Sequence, residues 1–144
     1  MQNQQPILLV EDNPVDLDLT LRAFKRRRLT NTIDLARDGE EALAWFDRWA
    51  AGAPLPVVIL LDNNMPRVGG LEVLRQLKAH PRFRSIPVVM LTTSADNGDV
   101  QQAYQLGANS YIVKPVDFEK FMDVAAQIEL YWTVLNTPNP DSPV

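Results

Sequence analysis

The chain has 144 residues, 46% of them apolar and 22% charged, with a formal net charge of −4, no cysteine and one histidine. That length suits one domain with one core, and the apolar content excludes a disordered chain. Disulfides, thiolate zinc sites, cysteine nucleophiles, a Ser-His-Asp triad and a general nucleic-acid binder, which needs an excess of Lys and Arg, are all disfavoured.

The first six residues, Met-Gln-Asn-Gln-Gln-Pro, hold no basic cluster ahead of an apolar stretch and so do not read as a secretory signal. A cytoplasmic protein is expected. Strand one is predicted over 7–10, and Asn13-Pro14 then supplies an N-cap and an N1 proline for a first helix whose positive end suits Asp16 and Asp18. Arg26, Arg27 and Arg28 read as its basic, solvated end, favoured by the helix dipole. Residues 32–37 alternate polar and apolar, as an incompletely covered edge strand would, and Asp38 with Glu41 forms a capping box for the second helix. Gly52 closes that helix. The uniformly apolar run 57–61 predicts a central third strand, 86–92 a fourth, and 110–113 a fifth, with Gly107 closing the helix before it. His80, in Ala79-His80-Pro81, is expected as an exposed loop residue far from any reactive edge. Asp117 is expected to cap a fifth helix. Residues 136–144, with Pro138, Pro140 and Pro143, are expected to be a disordered tail. No apolar run approaches the ~20 residues of a membrane span.

Five strands alternating with helix-length segments predict a doubly wound α/β fold, a parallel sheet with helices on both faces. In such sheets ligands bind beyond the carboxyl ends of the strands, and that rule selects the polar residues that matter. Strand one ends in Glu11 and Asp12, strand three in Asp62, strand four in Thr92, strand five in Lys114. If strands one and three are neighbours, three carboxylates converge, and a hard oxygen-seeking ion relieves their repulsion; Mg2+ fits best because it accepts few carboxylates and completes its shell with phosphate oxygens. Lys114 facing Asp62 then makes a counter-ion and nucleophile pair suited to phosphoryl transfer, with the Thr92 hydroxyl placed to donate to a phosphoryl oxygen.

These residues resemble the receiver domain of two-component response regulators. The resemblance covers about residues 6–126 and rests on Val10-Glu11-Asp12, Leu61-Asp62-Asn63-Asn64-Met65-Pro66, Thr92, Leu106-Gly107-Ala108, Tyr111 and Lys114-Pro115. It implies a flavodoxin-like receiver with strand order 2-1-3-4-5; apolar residues at spacings of three and four from Phe121 to Leu135 then extend the fifth helix beyond it, giving a domain over 6–135. It further implies Asp62 as phosphoacceptor, Glu11, Asp12, Asp62 and the Asn64 carbonyl as Mg2+ contacts, and Lys114 and Thr92 as phosphoryl contacts. Tyr111 would be the aromatic that turns inward on activation, and the Lys114-Pro115 bond would be cis. Asn63, in a place usually apolar, and Gly69-Gly70, in place of a common Asp-Gly, depart from the family pattern.

The donor implied is a phosphohistidine of a sensor histidine kinase. The opening Val-Glu-Asp-Asn-Pro-Val-Asp and the Tyr131-Trp132 extension are similar to single-domain regulators paired with phytochrome-type kinases. With no output module in sequence after the receiver-like region, a stand-alone switch acting through its own surface is expected. Ile128, Leu130, Tyr131, Trp132 and Val134 make the end of the fifth helix apolar around much of its girth, which predicts a homodimer through the surface from the end of the fourth strand to the fifth helix and its extension. Three rivals share the fold: an aspartyl-phosphate hydrolase, which would want a second Asp where Asn64 stands; a flavin module, whose phosphate cradle would replace the acidic first loop; and a pseudo-receiver that only binds.

Overall fold

Alternate residues of each central strand face opposite sides, and in this chain both sides are apolar. The structure, a computed structural model, describes residues 5–29, 31–92, 97–114, 119, 122, 123, 125 and 126. Five strands, β1 (Ile7–Val10), β2 (Ile33–Ala36), β3 (Val58–Leu61), β4 (Val88–Thr92) and β5 (Ser110–Val113), form one sheet in the order β2-β1-β3-β4-β5. All four pairings are parallel, which is the expected doubly wound topology. Between the strands run α1 (Pro14–Arg26), α2 (Gly39–Ala50), α3 (Gly70–Ala79) and α4 (Asn97–Gln105).

The period of two sorts the core into two layers. Leu8, Val10, Ile59, Leu61, Val88 and Met90 face a cluster with Trp49 of α2, Leu74 and Leu77 of α3 and Ala103 of α4. Ile7, Leu9, Val58, Leu60, Val89 and Leu91 face Ala23 and Phe24 of α1, with Ala125. Burying each such side chain contributes about 1.5–3 kcal/mol, enough in sum to hold a few charged groups at the sheet's rim. Every residue of β1 and β3 is buried, whereas β2, at the edge, is half-covered until Ala36. The edge is finished by Trp45, whose indole N–H donates to the Leu35 carbonyl at 3.0 Å.

Local signals act as expected with small differences. Asn13 Oδ1 accepts from the N–H of Val15 and Asp16, opening α1. Asp38 Oδ1 accepts from Glu41 N–H, but the reciprocal arm of the capping box is displaced by one residue, since Glu41 accepts from the N–H of Arg37. Gly52 and Gly107 adopt φ of +112° and +107° directly after their helices, the left-handed region a side chain would resist. Only Arg26 of the arginine run is helical; Arg27 is the C-cap and Arg28 takes φ +57°.

His80 corrects its expectation. It is half-buried rather than exposed, its ring stacked on Phe83 at 4.1 Å within an aromatic group that includes Phe46 and Trp49. Its place as the C-cap of α3 does set it at the far end of that helix from Asp62, roughly 15 Å along the axis. Nearby, Lys78 donates to the carbonyls of Arg84 and Ile86 at 2.9 Å each, tying α3 to the turn before β4. Burial there pulls its ammonium down to about 8. The Asp117 cap, the Lys114-Pro115 bond, Ile128, Leu130, Tyr131, Trp132, Val134 and the 135/136 boundary lie outside the described residues.

Candidate functional site

The carboxyl edge of the sheet is built by register. Val10 pairs with Leu61, so the residues that follow, Glu11 and Asp62, leave β1 and β3 side by side, and the N–H of Asp62 donates to the Val10 carbonyl at 3.1 Å. Glu11, Asp12 and Asp62 each offer a carboxylate oxygen, and these oxygens lie within 4.8 Å of one another. Glu11 is 2% exposed and Asp62 5%, so neither charge is relieved by bulk water. Asp12 is the more open of the three.

Lys114 follows β5 and is itself buried, 7% exposed. Its Nζ donates to Glu11 Oε1 and, at 2.9 Å, to Asp16 Oδ2. The expectation that it faces Asp62 is therefore only half met: Asp62 acts on Lys114 through its charge, while the hydrogen bonds go to Glu11 and Asp16. Burial pulls the ammonium down, but the bonds to Glu11 and Asp16 prevail and the net direction is upward. Burial, opposed by the hydrogen bond from Lys114 and reinforced by the charge of Asp62, pushes the Glu11 carboxyl up to about 7. Asp12 is also raised, first by desolvation and then by Asp62. With two carboxyls raised beside a third buried carboxylate, the pocket is short of positive charge, and a divalent cation is what its geometry and oxygen chemistry suit.

The loop after β3 is braced on both sides. Asn64 is exposed, and its N–H donates to Asp62 Oδ1 at 3.3 Å. Half-buried Asn63 accepts at its carbonyl from the N–H of Met65 and of Gly70, both at 3.2 Å. Arg67, at φ +64°, donates to Asp38 Oδ2 at 3.2 Å and so ties the loop to the N-cap of α2. A methyl group on Gly39 would lie 2.0 Å from the Val68 carbonyl oxygen, so only glycine lets the loop rest there.

Thr92 is the last residue of β4 and pairs with Val113, which puts its backbone beside the start of the Lys114 segment. Tyr111 is half-buried against the α3 side of the core, and its N–H donates to the hydroxyl of Tyr104 in α4 at 3.1 Å. Asp16 is the residue that local reading missed. As an acid in the first turn of a helix it had a sufficient local explanation, and no motif marks a contact with Lys114 that spans 98 positions.

Comparison with known proteins agrees with this arrangement. The response regulator receiver domain model matches residues 7–126. The chain is 43% identical over 136 residues to the probable methanogenesis regulatory protein FilR2 of Methanothrix harundinacea, covering 93% of this chain and 88% of that protein. The phosphorylated cyanobacterial phytochrome response regulator RcpA superposes with a TM-score of 0.87 at 35% identity, covering 94% of this chain and 99% of that one. The Mn2+-bound form of response regulator Rcp1 superposes at 0.84 with 34% identity and the same coverage, 94% and 99%; Rcp1 of Synechocystis is 36% identical over 128 residues, 88% of this chain and 87% of its own.

Proposed function

The chain belongs to the response regulator receiver domain family, and from that premise we propose that it is a phosphoacceptor switch that takes a phosphoryl group from a sensor-kinase phosphohistidine onto Asp62. The observation that carries this reading is the meeting of Glu11, Asp12 and Asp62 in one pocket with the buried ammonium of Lys114 beside it. Glu11, Asp12, Asp62 and the Asn64 carbonyl would hold Mg2+, which when bound supplies charge neutralisation for the phosphoryl oxygens. A carboxylate oxygen of Asp62 attacks phosphorus in line, an O–P bond forms as the P–N bond of the donor breaks, and the imidazole leaves. Lys114 and backbone N–H groups offset charge on the equatorial oxygens. Incubation with Mg2+ and acetyl phosphate should place an acid-labile adduct on Asp62; an adduct elsewhere, or none, would remove the reading.

The raised Glu11 carboxyl makes metal uptake pH-dependent. Without metal, Glu11 holds its proton more tightly folded than unfolded, since about 7 exceeds its ordinary 4.5. That contribution to stability is complete below 4.5 and is lost as pH rises through about 7. Mg2+ must displace the proton, so its apparent affinity should weaken by about tenfold per unit below pH 7 and level off above it. Melting curves with and without Mg2+ at pH 5.5 and pH 8 check this: the Mg2+-dependent rise in Tm should be the larger at pH 8.

Once formed, the aspartyl phosphate attracts the Lys114 ammonium and the Thr92 hydroxyl, each charged hydrogen bond being worth about 1.5–3 kcal/mol. Two such bonds give about 3–6 kcal/mol, and moving a two-state equilibrium from 1:99 to 99:1 needs about 5.5 kcal/mol, so the pair comes near to sufficing and neither alone does. Thr92→Ala should therefore accept phosphate at a near-normal rate yet show an incomplete active-state NMR spectrum. A complete spectrum would mean that Thr92 carries no part of the switch. Tyr111 is the aromatic we assign to follow Thr92, and the surface changed is the one formed by α4, β5 and the fifth helix. Similarity to the phytochrome response regulator RcpA supports a phytochrome-type histidine kinase as donor. The apolar residues from Ile128 to Val134 support a homodimer as the assembled form.

A further inference from the structure

A lysine ammonium has three N–H donors, and Lys114 commits two of them, one to Glu11 and one to Asp16 Oδ2 at 2.9 Å. Asp16 is not among the three carboxylates that share the metal pocket. It comes from the first turn of α1, where its own backbone is held at both ends: its N–H donates to Asn13 Oδ1 at 3.1 Å, and its carbonyl accepts from the hydroxyl of buried Thr20 at 2.8 Å. Asp18, on the same helix, is a useful contrast. It pairs with Arg22 on the surface, with side chains 58% and 68% exposed, as an acid serving only the helix would. The Asp16 side chain is 24% exposed and its cation 3%.

One ion pair leaves a four-carbon tether free to swing, whereas two anchors from different elements define where the ammonium sits. We propose that Asp16 is a positioning residue for phosphotransfer, clamping Lys114 together with Glu11 so that its third N–H is left for the phosphoryl oxygen on Asp62. The proposal rests on Asp62 being the phosphoacceptor. It also gives the Asp16 carboxylate a role opposite to competition: a rival that merely withheld Lys114 from the phosphoryl group would slow the reaction, and removing it would speed the reaction up.

The test follows phosphate uptake by the full chain from acetyl phosphate at saturating Mg2+. Asp16→Asn should lower the maximal rate by about tenfold, the equivalent of one charge-assisted hydrogen bond, with half-saturation by acetyl phosphate little changed. Asp16→Glu should recover most of the loss, and Asp18→Asn should lose none. The 15N signal of the Lys114 ammonium, slowed in exchange by two carboxylates, should broaden away in Asp16→Asn and persist in Asp18→Asn. An unchanged or faster rate in Asp16→Asn, an equal loss in Asp18→Asn, or a Lys114 signal indifferent to both would overturn the clamp while leaving Asp62 as acceptor. Wild-type protein that carries no phosphate on Asp62 would overturn the phosphoacceptor reading itself, and the clamp with it.

Discussion

Asp62→Asn should fold, bind Mg2+ more weakly and take up no phosphate from acetyl phosphate under conditions that label the wild type completely. The amide keeps the shape of the side chain but has neither the charge nor the nucleophilic oxygen pair that in-line attack on phosphorus requires. Removing that charge also changes its neighbours. The Asp62 charge contributes to raising Glu11 and Asp12, after their burial, so both carboxyls should fall toward their ordinary range in the variant. In EDTA at pH 8 the variant should be at least as stable as the wild type, because one of three crowded anions has gone. Its Mg2+-dependent rise in Tm should shrink, because a divalent ion has lost one of its ligands. Mass spectrometry of the intact chain, with melting curves in EDTA and in Mg2+, reads both effects together. Labelling of the variant at the wild-type rate would place the acceptor elsewhere. Loss of labelling with an unfolded variant would show only that Asp62 is needed for the fold, which its relaxed repulsion argues against.

The residues legible in the chain alone were those whose local pattern and chemical role coincide. Apolar runs of strand length end in Glu11, Asp62, Thr92 and Lys114, and a parallel sheet must bring those ends to one edge, so the sequence alone implies the pocket. Strand starts were less legible. Val57 and Ile86 are as apolar and buried as the strands they precede, yet β3 begins at Val58 and β4 at Val88. The N–H of Val57 goes across to the Pro6 carbonyl and that of Ile86 closes a turn onto Phe83, so burial extends further than the ladder does. The exposure of His80 and the second role of Asp16 were not legible for a shared reason. Each had an adequate local account, a loop histidine before proline and a first-turn acid, and each owes its surroundings to a partner brought in by tertiary packing. The Phe46 and Trp49 rings that accompany His80 come from α2, and the ammonium that meets Asp16 comes from the end of β5.

Gly70→Ala should cost about 3 kcal/mol or more and slow phosphorylation by about a hundredfold, although residue 70 carries no reactive group. A methyl group there would stand 2.2 Å from the Asp62 carbonyl oxygen, 2.9 Å from the Asn63 Cα and 3.0 Å from the Asp62 carbonyl carbon. All three are backbone atoms, so no side chain can turn aside to make room. Either α3 withdraws from the sheet or the Asp62 segment does, and the second movement takes the acceptor carboxylate away from Glu11 and Asp12. Helix withdrawal is opposed by Val73, Leu74 and Leu77, which are 2% exposed or less. The Asp62 segment is packed as tightly, so both sides must give, and a shift of about 1 Å in a reacting group can account for a hundredfold. Gly69 supplies the control one residue away. A methyl there would approach only the Asn63 carbonyl, at 3.5 Å, and Gly69 is an N-cap in extended geometry with no side chain to cap α3. Gly69→Ser should add a few tenths of a kcal/mol to stability and leave the rate unchanged. The pair separates contact at the acceptor from helix propensity, since both variants exchange a glycine at the start of the same helix. Equal behaviour of the two, in melting temperature and in phosphate uptake, would show that the close approach of Gly70 to Asp62 does not hold the acceptor in place.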